Sequence, residues 1–226
     1  MNLNADLGEG AGADDAIMAH IDSASVACGV YAGSASITIA TALQCRQRGV
    51  EVGAHPGYDD REGFGRRERQ VSADEIEALV TFQVAALAAV VPIAYVKPHG
   101  ALYHHCQHDP ASADAVARVA KAHGVGLIGQ PGLELLAAAR RAGVQAYREG
   151  FADRLHLSDG SLAPRTQPGA VLDPETAAAQ AVRLARSGQF DTVCIHGDSH
   201  GAAAVAAAVR AALRDAGVET GPLASQ

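Results

Sequence analysis

Tryptophan is missing from this chain of 226 residues, and only four Phe and five Tyr occur. Alanine and glycine are plentiful instead, and such small residues favour close packing of helices on strands. Basic clusters are missing too. The 18 Lys and Arg face 25 Asp and Glu, for a formal net charge of −7, and no basic stretch interleaved with aromatics argues for a nucleic-acid partner. A small anionic substrate stays open, because a pocket can differ in sign from the surface around it. The four cysteines, Cys28, Cys45, Cys106 and Cys194, form no C-x-x-C pair, which speaks against a zinc knuckle and against a disulfide framework. No apolar run approaches the roughly 20 residues that span a bilayer. The stretch Met1–Asp6 lacks the basic and apolar regions of a secretory signal, so the cytoplasm is the expected location. There is no G-x-x-x-x-G-K-[ST] loop for ATP phosphates. The run Gly8–Gly12 is not G-x-G-x-x-G, and Glu9, Asp14 and Asp15 around it would repel a pyrophosphate.

What the chain does have is a regular alternation of short apolar runs and longer helical stretches. Strands are predicted at Met1–Asp6, Ala24–Cys28, Glu51–Ala54, Ala94–Lys97, Gly124–Ile128, Gln145–Arg148 and Thr192–His196. Helices are predicted near Ala13–Ile21, Ala35–Arg48, Ala73–Val90, Ser112–Ala122, Leu133–Ala142, Pro174–Ser187 and Ala202–Asp215. Ser72 with Glu75 reads as a capping box, and Asp173-Pro174 as an N-cap followed by Pro at the first helical position. Gly49, Gly124, Gly143 and Gly217 fall where helices end in a left-handed residue. Alternation of this kind implies parallel pairing with right-handed crossovers. Seven repeats suggest an α/β fold, a seven-stranded parallel (β/α) barrel over residues 1–218, with an open doubly wound sheet as the other architecture. Residues 219–226 read as a flexible tail. The charged, Gly-rich loop Pro56–Gln70 is of the kind that is functional or mobile.

In a parallel barrel the active site lies at the C-terminal ends of the strands. Those ends carry Asp6 with Glu9, His55, Lys97 with His99, Arg148 with Glu149, and His196 with Asp198. Clustered titratable groups cost desolvation energy unless they are paired or used. The types suit hydrolysis. Asp6 or Glu9 could orient water or act as general base, the three histidines could pass protons, and Lys97 could stabilise negative charge developing on oxygen. Structural roles remain open as well: Asp6 and Asp198 could cap helices, and His55 could be a satisfied core histidine. Cys28 and Cys194 read as small buried side chains, and His104, His105, His108 and His123 as solvent-facing.

Six stretches, Asn2–Gly10 (NLNADLGEG), Gly53–Arg67, Val96–Tyr103 (VKPHGALY), Phe151–Arg154 (FADR), Asp159–Ala170 and His196–Ala202 (HGDSHGA), together resemble the blocks of the LamB/YcsF family, in the family's order and over nearly the whole chain. The resemblance implies a seven-stranded barrel related to polysaccharide deacetylases. It also implies hydrolysis of 5-oxoproline to glutamate coupled to cleavage of ATP with Mg²⁺, carried out alongside subunits B and C, with a homo-oligomer possible. Asp6, Glu9, His55, Lys97 and His99 match motif positions as catalytic candidates. Tyr31, His196 and Asp198 are candidates for substrate binding, as are Arg66, Arg154 and Arg165, whose guanidinium groups could grip a carboxylate or phosphate.

One block departs from the family pattern. Where the family usually reads His and Asp, this chain has Tyr31 and Ser34, and His104 replaces an Asn. A deacetylase-like metal site would use Asp6, residue 31 and His55. A phenol in place of a neutral imidazole weakens such a site, so no tightly bound metal is expected. Two other functions fit the same residues: a diverged binding subunit without turnover, and a stand-alone metal-dependent hydrolase of cyclic amides or acetyl groups.

Overall fold

In the computed structural model, which describes residues 1–157 and 161–223, seven parallel strands close into a barrel in chain order. They are β1 (Asn2–Leu7), β2 (Ser23–Ala27), β3 (Glu51–His55), β4 (Tyr95–Val96), β5 (Gly126–Gly129), β6 (Ala146–Phe151) and β7 (Thr192–His196). Around them lie α1 (Asp14–Met18), α2 (Ala35–Gln47), α3 (Ala73–Ala88), α4 (Gly100–His108), α5 (Pro110–His123), α6 (Glu134–Ala142), α7 (Pro174–Arg186) and α8 (Ala202–Asp215). The barrel closes where β1 pairs with β7, from Asn2 opposite Thr192 to Asp6 opposite His196.

A strand alternates its side chains between two faces, and here the alternation separates chemistry from packing. Leu3, Ala5 and Leu7 of β1 join Ala24, Val26, Val193 and Ile195 in the apolar layer beneath the helices. Asn2, Asn4 and Asp6 take the other face and bond across the barrel interior. Gly53 of β3 is dictated by that interior: a Cβ there would lie 2.0 Å from the Tyr95 ring.

Helix ends follow the sequence signals. The Ser72–Glu75 capping box forms, Asp173 caps α7, and Gly49, Gly124, Gly143 and Gly217 are all left-handed. Ser34, at one of the departing positions, caps α2 by accepting from the Ile37 amide at 3.2 Å.

Three expectations change. Helix α4 was not foreseen, because its N-cap His99 makes no side-chain cap bond and so gives no start signal. The next helix begins at Pro110 rather than Ser112, behind an Asp109 cap. Strand β6 runs on to Phe151, which puts Glu149 inside the barrel. Arg148 is not at the C-terminal rim: it pairs at 2.7 Å with Asp191, which precedes β7.

The expected flexible tail is partly ordered. Leu223 is 1% exposed and packs with Tyr95 and Ile128 at the N-terminal end of the barrel, and Asn2 donates to the Gly221 carbonyl. Residues 224–226 of that tail, and Asp159 and Gly160 of the family block, lie outside the described residues. Among the described residues no helix is long and apolar enough to cross a membrane.

Candidate active site

A cavity of about 840 Å³ opens over the C-terminal ends of the strands. Its lining includes Asp6, His55, Lys97, His99, Glu149 and His196, with Arg66, Arg154 and Arg165 around them.

Lys97 follows β4 and is 2% exposed. Its ammonium reaches Asp6 Oδ1 at 2.8 Å, Glu149 Oε1 at 2.9 Å, Cys194 Sγ at 3.0 Å and Asn4 Oδ1 at 3.3 Å. Burial alone would push a lysine towards neutrality, but the Asp6 and Glu149 carboxylates outweigh it and hold Lys97 well above its usual value. Burial likewise raises Asp6, yet His55 and Lys97 beside it keep the carboxyl well below its ordinary range. Tyr103 completes the cluster, donating to Glu149 Oε2 at 3.0 Å. Cys194 is therefore more than an apolar filler.

A second cluster adjoins the first. His55 Nε2 lies 3.4 Å from Asp6 Oδ2 and 3.1 Å from His99 Nδ1, and His99 Nδ1 lies 3.5 Å from Glu9 Oε1. Burial, the Asp6 charge and Asp198 raise Glu9 to about 8, while burial and His55 hold His99 well below the usual histidine value. Loop 56–70 builds one wall. Phe64 sits at φ 55°, in the left-handed region that bulky residues rarely adopt, and its carbonyl faces His99 Nε2 at 2.9 Å.

Tyr31 is 1% exposed; its ring stacks on His99 with centroids 3.8 Å apart, and its hydroxyl donates to Glu9 Oε1 at 2.7 Å. Burial and the Glu9 charge raise its phenol well above the usual value. Of the Asp6–Tyr31–His55 set, the Tyr31 hydroxyl is engaged with Glu9 and Asp6 Oδ1 with Lys97.

The remaining predicted residues divide. His196 is oriented by Asp153, whose Oδ1 lies 2.9 Å from Nδ1, and it stacks on Phe151. Asp198 caps no helix; it is held by Arg66 at 2.7 Å and Arg165 at 3.3 Å. Arg154 lines the cavity, but its guanidinium donates to the Ala163 and Ala170 carbonyls, a loop-bracing role. His105, expected in solvent, bonds the Tyr58 hydroxyl at 2.6 Å, while His104 and His108 are exposed.

The sequence placed Glu149 at the C-terminal rim beside Arg148 without counting it among the catalytic or binding residues, and it gave no role to Tyr103 or Asp153. Asp153 was within reach, since it precedes Arg154 in the FADR block just past β6.

The LamB/YcsF family model matches residues 1–226. A protein of Streptomyces coelicolor, named as the A subunit of 5-oxoprolinase, is 42% identical over 249 residues, covering 99% of this chain and all of the relative. A Neisseria meningitidis protein of the same name is 39% identical, covering 97% of this chain and 98% of its own. Among solved structures, the lactam utilization protein of Thermus thermophilus superposes with a TM-score of 0.89 at 40% identity, covering 98% of each chain.

Proposed function

This chain belongs to the LamB/YcsF family, and from that membership we propose that it is the A subunit of a 5-oxoprolinase, opening the ring of 5-oxoproline to glutamate in a reaction driven by ATP. The observation that carries the reading is the buried ammonium of Lys97, fixed between Asp6 and Glu149 on the wall of a deep cavity.

A five-membered lactam resists water because amide resonance lowers the electrophilicity of its carbonyl. Opening it adds water to that carbon with loss of a proton, breaks the C–N bond, and gives the ring nitrogen a proton. Negative charge gathers on the carbonyl oxygen on the way. A fixed cation in a water-poor site stabilises that charge without reorganising, and the carboxylates around Lys97 keep it protonated for the purpose.

Asp6, held ionised, is a weak proton acceptor, and its part is to anchor Lys97 and orient water. Glu9, raised to about 8, can give or take a proton near neutral pH. His196, with Nδ1 held by Asp153, lines the cavity beside Asp6. Arg66 and Arg165, reaching into the cavity around Asp198, suit an anionic group such as the substrate carboxylate or a phosphate.

ATP would activate the lactam by transferring its γ-phosphoryl group to the carbonyl oxygen, with ADP leaving; water addition and C–N cleavage then give an acyl phosphate, and a second water releases glutamate and phosphate. The chain carries no Walker-type loop, so the nucleotide with its Mg²⁺ is assigned to the assembly with subunits B and C. The cavity is far larger than a five-membered lactam needs, which leaves space for such an activated form.

The test is glutamate release from 5-oxoproline with ATP and Mg²⁺, using this chain alone, its B and C partners alone, and all three together. Glutamate only from the complete set is expected. No glutamate with partners that work with a different A subunit would contradict the proposal.

A further inference from the structure

Two carbonyl groups fix the tautomers of the histidine pair. The Lys97 carbonyl, 2.7 Å from His55 Nδ1, can only accept, so that nitrogen carries a hydrogen. The Phe64 carbonyl does the same for His99 Nε2 at 2.9 Å. In the neutral rings, His55 Nε2 and His99 Nδ1 then face each other as two lone pairs 3.1 Å apart. Glu9 adds a third centre, with Oε1 3.5 Å from His99 Nδ1 and Oε2 buried without a hydrogen-bond partner. One shared proton could reconcile the imidazoles, but it would leave Glu9 Oε2 unsatisfied; since Oε1 already accepts from Tyr31, Oε2 is the carboxylate oxygen left to take a cation. A buried polar atom of that kind calls for an explanation.

From this convergence the geometry points to a divalent transition-metal site made by Glu9, His55 and His99, distinct from the Asp6–residue 31–His55 set that the sequence had suggested. One ligand atom from each of the three lies within 4.8 Å of the others. Bonds of 2.0–2.2 Å in a tetrahedron give ligand–ligand edges of about 3.3–3.6 Å; the His55–His99 and His99–Glu9 edges are 3.1 and 3.5 Å, and the His55–Glu9 edge is within 4.8 Å. Two imidazoles and one carboxylate suit zinc or cobalt and not magnesium, which prefers oxygen ligands. Three protein ligands leave a fourth position open, and His55 and His99 both line the cavity. Each ligand already has its supporting contact: the two carbonyls for the histidines, and for Glu9 the Tyr31 hydroxyl at 2.7 Å. Position 31 thus orients a ligand rather than serving as one.

A metal held here would keep Glu9 deprotonated, so the proton role proposed above for Glu9 belongs to the metal-free protein; the test of the site uses no substrate. The full chain is stripped with a chelator and titrated with Co²⁺, Zn²⁺ or Mg²⁺, following metal content, calorimetry and the visible absorption of Co²⁺. The expected result is one equivalent of Co²⁺ with the intense bands of a tetrahedral site, displaced by Zn²⁺ and not by Mg²⁺. Tyr31→Phe should weaken binding by roughly 10–100-fold, as loss of an outer partner does. Glu9→Gln and His99→Gln should weaken it further still, and His104→Gln, at an exposed histidine of the cavity mouth, should leave it unchanged. Circular dichroism checks that each variant is folded. An anomalous-diffraction peak among the three ligand atoms of the unaltered chain supports the site without any variant. Absence of stoichiometric binding by the folded chain at micromolar metal would overturn the proposal, as would binding that survives both Glu9→Gln and His99→Gln.

Discussion

Two polar layers fill the barrel interior. In the lower one, Ser23 and Thr192 both donate to Asn2 Oδ1, at 2.9 and 2.7 Å, and Asn4 donates to Thr192 at 2.8 Å. All four side chains are neutral and buried, and the end of the barrel beneath them is closed by Tyr95, Ile128 and Leu223. In the upper layer, Asp6, Glu149 and Lys97 carry full charges at equal burial. Neutral hydrogen bonds satisfy a core cheaply. A buried ion pair often contributes no more stability than well-packed apolar residues would. A barrel that needed only to be stable could have continued the lower pattern upward, and the charge above it is the feature on which the proposed chemistry rests.

Substitutions can break that contrast. Lys97→Met should have the largest effect, because it leaves the Asp6 and Glu149 carboxylates buried without the cation they share. Urea unfolding should show a loss of about 3–5 kcal/mol. Adding Glu149→Gln removes one of those charges and should recover part of the stability while restoring no turnover. Equal recovery of both would make Lys97 a structural residue only.

The Glu9 proton gives the next effect, measured in metal-free protein. Folded Glu9 holds its proton up to about 8, whereas in the unfolded chain it loses it in the ordinary carboxylate range. Between those limits the folded state binds more protons, so this group's contribution to stability falls as pH rises, levelling off near 8. The difference in melting temperature between Glu9→Gln and the unaltered chain should therefore shift in favour of the variant from pH 5 to 8. A difference independent of pH would contradict the burial argument.

A smaller effect is expected in the lower layer. Thr192→Val leaves Asn2 and Asn4 short of partners and should cost about 1–3 kcal/mol in urea, with turnover preserved in the assembled enzyme. Ser34→Ala should cost least, about 1 kcal/mol for a lost N-cap, again with activity intact.

The same contrast explains how much was legible in the sequence. Outward-facing strand residues are apolar and mark the seven strands. Capping residues and C-terminal glycines mark most helix ends, so the barrel could be read directly. Catalytic candidates at or just past a strand end, such as His55 and Lys97, were legible for the same reason. Glu149 was not. It lies in a strand whose run Arg148-Glu149-Gly150 looks like a loop, because an inward polar residue interrupts the apolar signal. Asp153 and Tyr103 were lost with it, since their roles depend on which residues the closed barrel brings together. The Glu9–His55–His99 convergence joins three segments separated along the chain, and spacing alone could not disclose it. The departures from the family pattern become intelligible in three dimensions: Ser34 keeps a helix cap, and Tyr31 holds Glu9 while stacking on His99.

The most direct test is turnover of 5-oxoproline by the proposed three-subunit assembly, with Lys97→Met/Glu149→Gln set beside Thr192→Val at matched folded fraction. A kcat loss of about 10²–10³-fold or more, the scale of a lost oxyanion-stabilising group, is expected for the first, with near-normal kcat for the second. Near-normal turnover without the Lys97 ammonium would contradict the claim that the upper layer is charged for catalysis.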